Sequence, residues 1–162
     1  MNILLTGGAG YIGSHTSLAL IDKGHKVTII DNLITGNAKA IPNKASFLNS
    51  DIADLQKVNA LLHKNKFDLI ITLHSLEHLD NIEIFDRFYK ILTEKGSIFF
   101  EVPNCTKEYF DGRIYDSPHL LFYTEKSLKK IAKIYNYEKN ELKEEKNLNT
   151  VLLLDPDNEE AM

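Results

Sequence analysis

The pattern Gly8-Ala9-Gly10-Tyr11-Ile12-Gly13 constrains this chain more than any other feature, because of what flanks it. Before it lies the short apolar run Asn2-Ile3-Leu4-Leu5. After it an amphipathic stretch runs from about Ile12 to Lys23, with Gly24 where a helix should end. Glycines spaced G-x-G-x-x-G between a strand and a helix make a tight turn, allow close backbone approach to a ligand, and let helix pack against strand. The helix start that follows supplies unbonded amides and partial positive charge, which suit a phosphate. A chain that opens this way begins with a β-α-β unit.

The rest of the chain continues the alternation of short apolar runs with helical stretches, which argues for a parallel α/β sheet. Lys26 to Ile30 reads as the second strand and ends at Asp31. Asn32 to Asn43 reads as loop with at most a short helix, and Ala45 to Leu48 as a weak third strand. Asp54 to Lys64 reads as a helix with Leu55, Val58, Leu61 and Leu62 on one face, and Phe67 to Leu73 as a buried central strand. Asp80 with Glu83 has the spacing of a capping box, followed by the stripe Ile84, Phe85, Phe88, Ile91 and Leu92, with Gly96 closing the helix. Ser97 to Val102 is the expected fifth strand, stopped by Pro103, with a loop from Asn104 to about Tyr123. Thr124 then opens a helix whose Leu128, Ile131, Ile134 and Tyr135 face inward. Tyr137 to Leu154 supplies two final strands joined by the charged stretch Glu141 to Asn147.

The expected architecture is therefore a three-layer Rossmann-like α/β domain with a mostly parallel sheet of about seven strands. A chain of 162 residues has room for one such domain, spanning 1–154, with an acidic tail at 155–162. Its 43% hydrophobic and 26% charged residues exclude general disorder. Nineteen basic against 23 acidic side chains give a net charge of −4, without a basic block, which argues against nucleic acid and anionic membranes as partners. The longest apolar runs fall far short of the roughly 20 residues of a membrane span. The N-terminus lacks the basic start of a signal peptide, and Cys105 is the sole cysteine, so the expected location is a reducing cytoplasm.

Asp31 stands at the end of the second strand, where a carboxylate accepts hydrogen bonds from ribose hydroxyls. No arginine follows it, so NAD is expected over NADP. The segments Thr6-Gly7-Gly8-Ala9-Gly10-Tyr11-Ile12-Gly13-Ser14-His15-Thr16, Asp31-Asn32-Leu33 and Asp51-Ile52 resemble the opening of UDP-glucose 4-epimerases. These belong to the extended short-chain dehydrogenase/reductase group, the NAD-dependent epimerase/dehydratase family. The resemblance covers about residues 1–71. It implies that Gly7, Gly10, Tyr11, Ile12 and Gly13 line the NAD phosphates, that Asp31 and Asn32 hold the adenosine ribose, and that Asp51 and Ile52 flank the adenine.

Past Ile71 the chain reads Thr72-Leu73-His74-Ser75-Leu76-Glu77-His78. From there it resembles class I S-adenosylmethionine-dependent methyltransferases that act on small molecules and sugars. The carriers are Leu76-Glu77-His78, Leu92-Thr93-Glu94-Lys95-Gly96-Ser97, Phe100-Glu101-Val102-Pro103-Asn104 and Pro118-His119-Leu120-Leu121-Phe122-Tyr123-Thr124, within residues 67–137. Taken together, the two resemblances imply a hybrid of an epimerase-like half (1–71) and a methyltransferase-like half (72–154). The second half would include the terminal strand pair. The leading expectation is a nucleotide-cofactor-binding protein that looks like a truncated UDP-glucose 4-epimerase and is not competent for full epimerisation. The alternatives are a methyltransferase using S-adenosylmethionine on a small molecule or sugar, and a non-catalytic binding module.

Two smaller patterns have the spacing of known chemistry. Tyr135 and Lys139 have the Tyr-x-x-x-Lys spacing of the epimerase acid/base pair, but Tyr135 continues an apolar stripe, so coincidence is the simpler reading. His74-Ser75-Leu76-Glu77-His78 matches H-x-x-E-H, yet His74 ends a strand and the two histidines should diverge, so no metal is expected there. His78 remains a candidate contact to cofactor or substrate, at the sheet edge where ligands of such folds bind.

Overall fold

The computed structural model describes residues 1–62, 65–111, 118–135, 137–145 and 148–155. Strand β1 (Asn2–Thr6) leads into helix α1 (Tyr11–Asp22), then β2 (Lys26–Asp31), β3 (Ser46–Asn49), helix α2 (Leu55–Leu62) and β4 (Phe67–Leu73). Helix α3 (Ile84–Ile91), β5 (Leu92–Val102), the short α4 (Lys107–Phe110), α5 (Glu125–Ile134), β6 (Glu138–Glu145) and β7 (Leu148–Asp155) follow. One sheet holds all seven strands in the order β3-β2-β1-β4-β5-β7-β6. The first five run parallel, and β7 lies antiparallel between β5 and β6. The expected α/β Rossmann-like sheet is thus the observed one.

Side-chain alternation along the strands divides the core into two layers. Ile3 and Leu5 of β1 join Val27, Ile29 and Ile71 on one face, with Leu20 and Ile21 of α1 packed against them. Leu4 and Ile70 point to the opposite face, where Phe85 and Phe88 of α3 and Leu128 and Ile131 of α5 fill the larger cluster. The connection from β1 to β2 therefore crosses one face, whereas those leading to β4 and β5 cross the other, because right-handed crossovers that move in opposite directions must lie on opposite faces. The reversal falls between β1 and β4. Ligands of doubly wound sheets bind outside the strand ends at that point.

Phe85 is the centre of the larger layer. It is fully buried, meets Phe100 edge to face at 5.7 Å between ring centroids, and stacks on Tyr135 at 6.3 Å. The Tyr137 hydroxyl donates to the Phe85 carbonyl at 2.7 Å, and burial holds that phenol well above its ordinary pKa.

Several local expectations are corrected. Helix α3 starts at Ile84 with Glu83 at its N-cap, and Asp80 does not cap it. Instead the Asn81 Oδ1 accepts from the Glu83 amide at 2.9 Å, a local turn that replaces the capping box. Gly96 does not close the helix either. The chain turns extended at Leu92, which pairs with Phe67, and the register then jumps so that Leu69 pairs with Ser97. Gly96 lies inside β5, where a Cβ would come 2.8 Å from the Phe67 carbonyl oxygen. Ile134 is exposed instead of buried. The charged residues from Glu141 to Glu145 belong to β6, because pairing with β7 outweighs their low strand propensity. The side chains of Leu55, Leu61, Leu62 and Lys139, the residues around 112–117, and the tail from 156 lie outside what is described. Among the described residues no helix is long and apolar enough to cross a membrane.

Removing the Phe85 ring would empty the middle of the larger layer. Phe85→Ala is expected to cost about 3–5 kcal/mol, read as a lower midpoint in chemical denaturation with an unchanged slope.

Candidate functional site

The glycine loop sits at the end of β1. Gly7 adopts a left-handed backbone (φ +68°) that side chains resist. A Cβ on Gly13 would come 2.3 Å from the Gly7 carbonyl oxygen and 2.7 Å from the Gly8 Cα, so only glycine lets α1 start this close to the turn. Gly10 is the N-cap of α1 and differs in kind. A Cβ there would meet only the Gly7 oxygen, at 3.2 Å, and the space beyond is open. The amides of Tyr11, Ile12 and Gly13 are the first of the helix and have no carbonyl within it to bond. No acidic side chain stands in that first turn. The arrangement fits a pyrophosphate, with Tyr11 and Ile12 exposed beside it.

Asp31 ties this loop to its neighbours. Its Oδ2 accepts from the Ala9 amide at 2.9 Å and its Oδ1 from the Leu33 amide at 2.8 Å, while Leu33 itself is left-handed (φ 60°). The Ala9 carbonyl accepts from the Asn37 amide at 2.9 Å, folding the segment after β2 over the glycine loop. The carboxylate is 8% exposed, so what it can offer a ribose is the remaining lone pairs along a narrow line of approach. Beyond it the Asn32 Nδ2 donates to the Asp51 Oδ2 at 2.9 Å, and the Asp51 Oδ1 accepts from the Ala53 amide. Ile52 packs on the larger core cluster. The structure therefore gathers Gly7, Gly10, Tyr11, Ile12, Gly13 and Asp31 around one turn, with Asn32 and Asp51 linked along the same strand ends.

The loop after β4 borders the glycine loop: a Cβ on Gly7 would lie 3.1 Å from the Ser75 Oγ. His74 takes a left-handed backbone (φ 49°), at a cost of roughly 1–2 kcal/mol for such a residue, and its ring bridges two carboxylates. Nδ1 lies 3.1 Å from the Glu77 Oε1, and Nε2 lies 3.1 Å from the Glu101 Oε1. The bond to Glu77 is the largest influence raising the His74 pKa, opposed by burial and aided by the charge of both carboxylates. Glu77 is 1% exposed. Its carbonyl accepts from the amides of Leu120 and Leu121 at 2.8 and 3.0 Å, which brings His119 alongside. The rings of His78 and His119 stand edge to face, 5.0 Å apart, and burial pushes the His119 pKa down. The expectation that His74 and His78 diverge holds: His74 turns to the two carboxylates, His78 to His119. Glu77, Glu101 and His119 were not among the site residues read from the sequence. Glu77 and Glu101 sat within strand-and-turn patterns, and His119 lay in an unassigned loop. Tyr135 is partly buried and packs against the core, stacked on Phe85.

The NAD dependent epimerase/dehydratase family matches residues 3–90, more than half of the chain. The chain belongs to that family. Among its relatives, UDP-arabinose 4-epimerase 1 of Arabidopsis thaliana is 32% identical over 110 residues, a match that takes in 62% of this chain and 26% of that protein. The chain thus spans about a quarter of the length of such relatives. Of solved structures, a UDP-glucose 4-epimerase of Thermus thermophilus in complex with NAD superposes with a TM-score of 0.53 at 24% identity, covering 83% of this chain and 52% of that one. A Pyrococcus horikoshii protein superposes with a TM-score of 0.70 at 14% identity, covering 97% of this chain and 84% of its own, which is a likeness of fold. The family match runs past residue 71 through the His74–His78 turn and most of α3. The epimerase resemblance is borne out, and the family match gives no support to a methyltransferase segment.

Two outcomes are expected at this site. Asp31→Ala removes two hydrogen bonds to a buried carboxylate and should lower stability by about 2–4 kcal/mol. For a domain of this size that is a fall in Tm of roughly 5–15 °C by calorimetry. His74 carries a raised pKa in the folded chain, so its contribution is fully present below the ordinary histidine value of 6.5 and is lost as pH rises through the folded value. The Tm difference between wild type and His74→Gln, measured in chelator-containing buffer, should be largest on the acid side and shrink as pH climbs above 6.5.

Proposed function

We propose that this chain binds NAD through the glycine loop and the start of α1, as the nucleotide-binding part of a UDP-sugar epimerase-like protein. Residues 1–154 are taken as one Rossmann-like domain. The observation that carries this reading is the cradle at Gly10: open space before three unbonded helix amides, next to a turn that tolerates no side chain at Gly13. Membership of an NAD dependent family supports it independently. In this arrangement the amides of Tyr11, Ile12 and Gly13 bind the pyrophosphate, while Asp31 and Asn32 orient the adenosine ribose. Asp51 and Ile52 border the adenine. Bound NAD would supply a hydride acceptor for the carbon of a sugar hydroxyl. Tyr135 is partly buried and stacks on Phe85, so the Tyr135/Lys139 spacing has no acid/base role in this reading. The substrate class that accompanies such a site in the relatives is a UDP-sugar, and we extend it to this chain as part of the same proposal.

A second reading, a methyltransferase using S-adenosylmethionine, is favoured by one observation. The terminal antiparallel pair, with β7 inserted between β5 and β6, is the element that the methyltransferase resemblance implied. The family match favours the first reading.

The test compares thermal melts of the full chain with NAD and with S-adenosylmethionine at millimolar concentration. At 100 times Kd a ligand stabilises by about 2.7 kcal/mol, which raises Tm by roughly 5–10 °C. NAD should give that shift, and Gly10→Ala, whose backbone suits alanine, should bind NAD at least 10-fold more weakly with an unchanged circular dichroism spectrum. A shift with S-adenosylmethionine alone would transfer the site to the second reading. No shift with either would leave the loop as a turn.

A further inference from the structure

The β4 loop carries a feature that the nucleotide site does not use. Glu77 is 1% exposed, and while its Oε1 faces the His74 ring, its Oε2 is buried with no hydrogen-bond partner among the described residues. An ionised oxygen in that position is costly unless something positive meets it. Two imidazoles stand beside it. Glu77, His78 and His119 each offer a ligand atom, and these atoms all lie within 4.8 Å of one another.

We propose that Glu77, His78 and His119 form a binding site for a divalent transition metal of the zinc class. Three atoms spaced this closely lie no more than roughly 2.8 Å from a common centre, against about 2.0–2.2 Å for zinc bonds to nitrogen and oxygen, so small rotations of the two rings complete the contacts. The donor set suits zinc, since the two imidazoles are borderline nitrogen ligands that discriminate against magnesium and calcium, and zinc also accepts the one carboxylate. The supporting contacts are those that ligand residues need. The His78 Nδ1 lies 3.4 Å from the Pro118 carbonyl, a partner only an N–H can satisfy, which directs the lone pair to Nε2. The His74 ring steadies the Glu77 carboxylate and acts as a positioning residue. Two amides on the Glu77 carbonyl hold the His119 segment in place. Three protein ligands leave a fourth position, on the exposed His78 side, for water or an oxygen of a bound molecule.

This site differs from the H-x-x-E-H arrangement. His74 is not a ligand, and the second histidine comes from beyond α4. It also does not depend on nucleotide binding, so the two proposals fail separately.

The experiment is calorimetric titration of the chelator-treated full chain with zinc chloride, followed by cobalt(II) substitution read in the visible spectrum. One ion per chain should bind, and cobalt should give the intense absorption of a low-coordinate nitrogen/oxygen site. His78→Ala and His119→Ala, neither in the core, should each weaken zinc at least 10-fold, while His25→Ala should leave it unchanged. Glu77→Gln should also weaken it, with the two histidine variants carrying the conclusion if that buried change impairs folding. Absence of stoichiometric zinc binding would overturn the proposal. So would binding that survives both His78→Ala and His119→Ala.

Discussion

The open end of the sheet depends on the approach of α1 to the turn that precedes it. The Gly7 carbonyl sits where a side chain on residue 13 would be, and this contact sets both the direction of the helix and the place where its free amides point. Asp31 then fixes that arrangement from the neighbouring strand, holding Ala9 on one side and Leu33 on the other. The carboxylate therefore has a structural duty. A residue read from the sequence as a ribose acceptor also holds the glycine loop in place.

A second, less regular assembly stands across the reversal of strand order. The left-handed His74 directs its ring between Glu77 and Glu101, and the chain after α4 returns to bond the Glu77 carbonyl. Polar groups buried at a strand end are tolerated when they have partners, and the arrangement supplies most of them within the fold. The close contact between Gly7 and Ser75 places the two assemblies side by side.

Membership of the epimerase/dehydratase family describes the first half of the chain and the turn after β4. The likeness of fold to a Pyrococcus horikoshii protein extends over 97% of the chain, the terminal strands included in the span. A parallel sheet of five strands leaves β5 with an open edge, and the β6–β7 hairpin covers it by antiparallel pairing.

Much of this was legible in the residues themselves. The glycine loop, the buried run Phe67–Leu73, the Gly24 helix end and the Thr124 cap are local patterns, each decided by neighbours a few positions away, and the structure keeps them. The capping box at Asp80, the helix end at Gly96 and the inward Ile134 were equally local readings that lost to longer contacts. Leu92 turns extended because Phe67 offers it a strand partner, and the charged residues of β6 form a strand because β7 pairs with them. The arrival of His119 beside the neighbours Glu77 and His78 left no trace in spacing, since backbone hydrogen bonds from a distant loop create it. The sequence by itself determined the strand–glycine–helix opening and the unbonded amides at the helix start, because backbone sterics and helix geometry act over a few residues. Only the tertiary structure decided which carboxylates and imidazoles come together, because that depends on which strand ends and returning loops share one edge of the sheet.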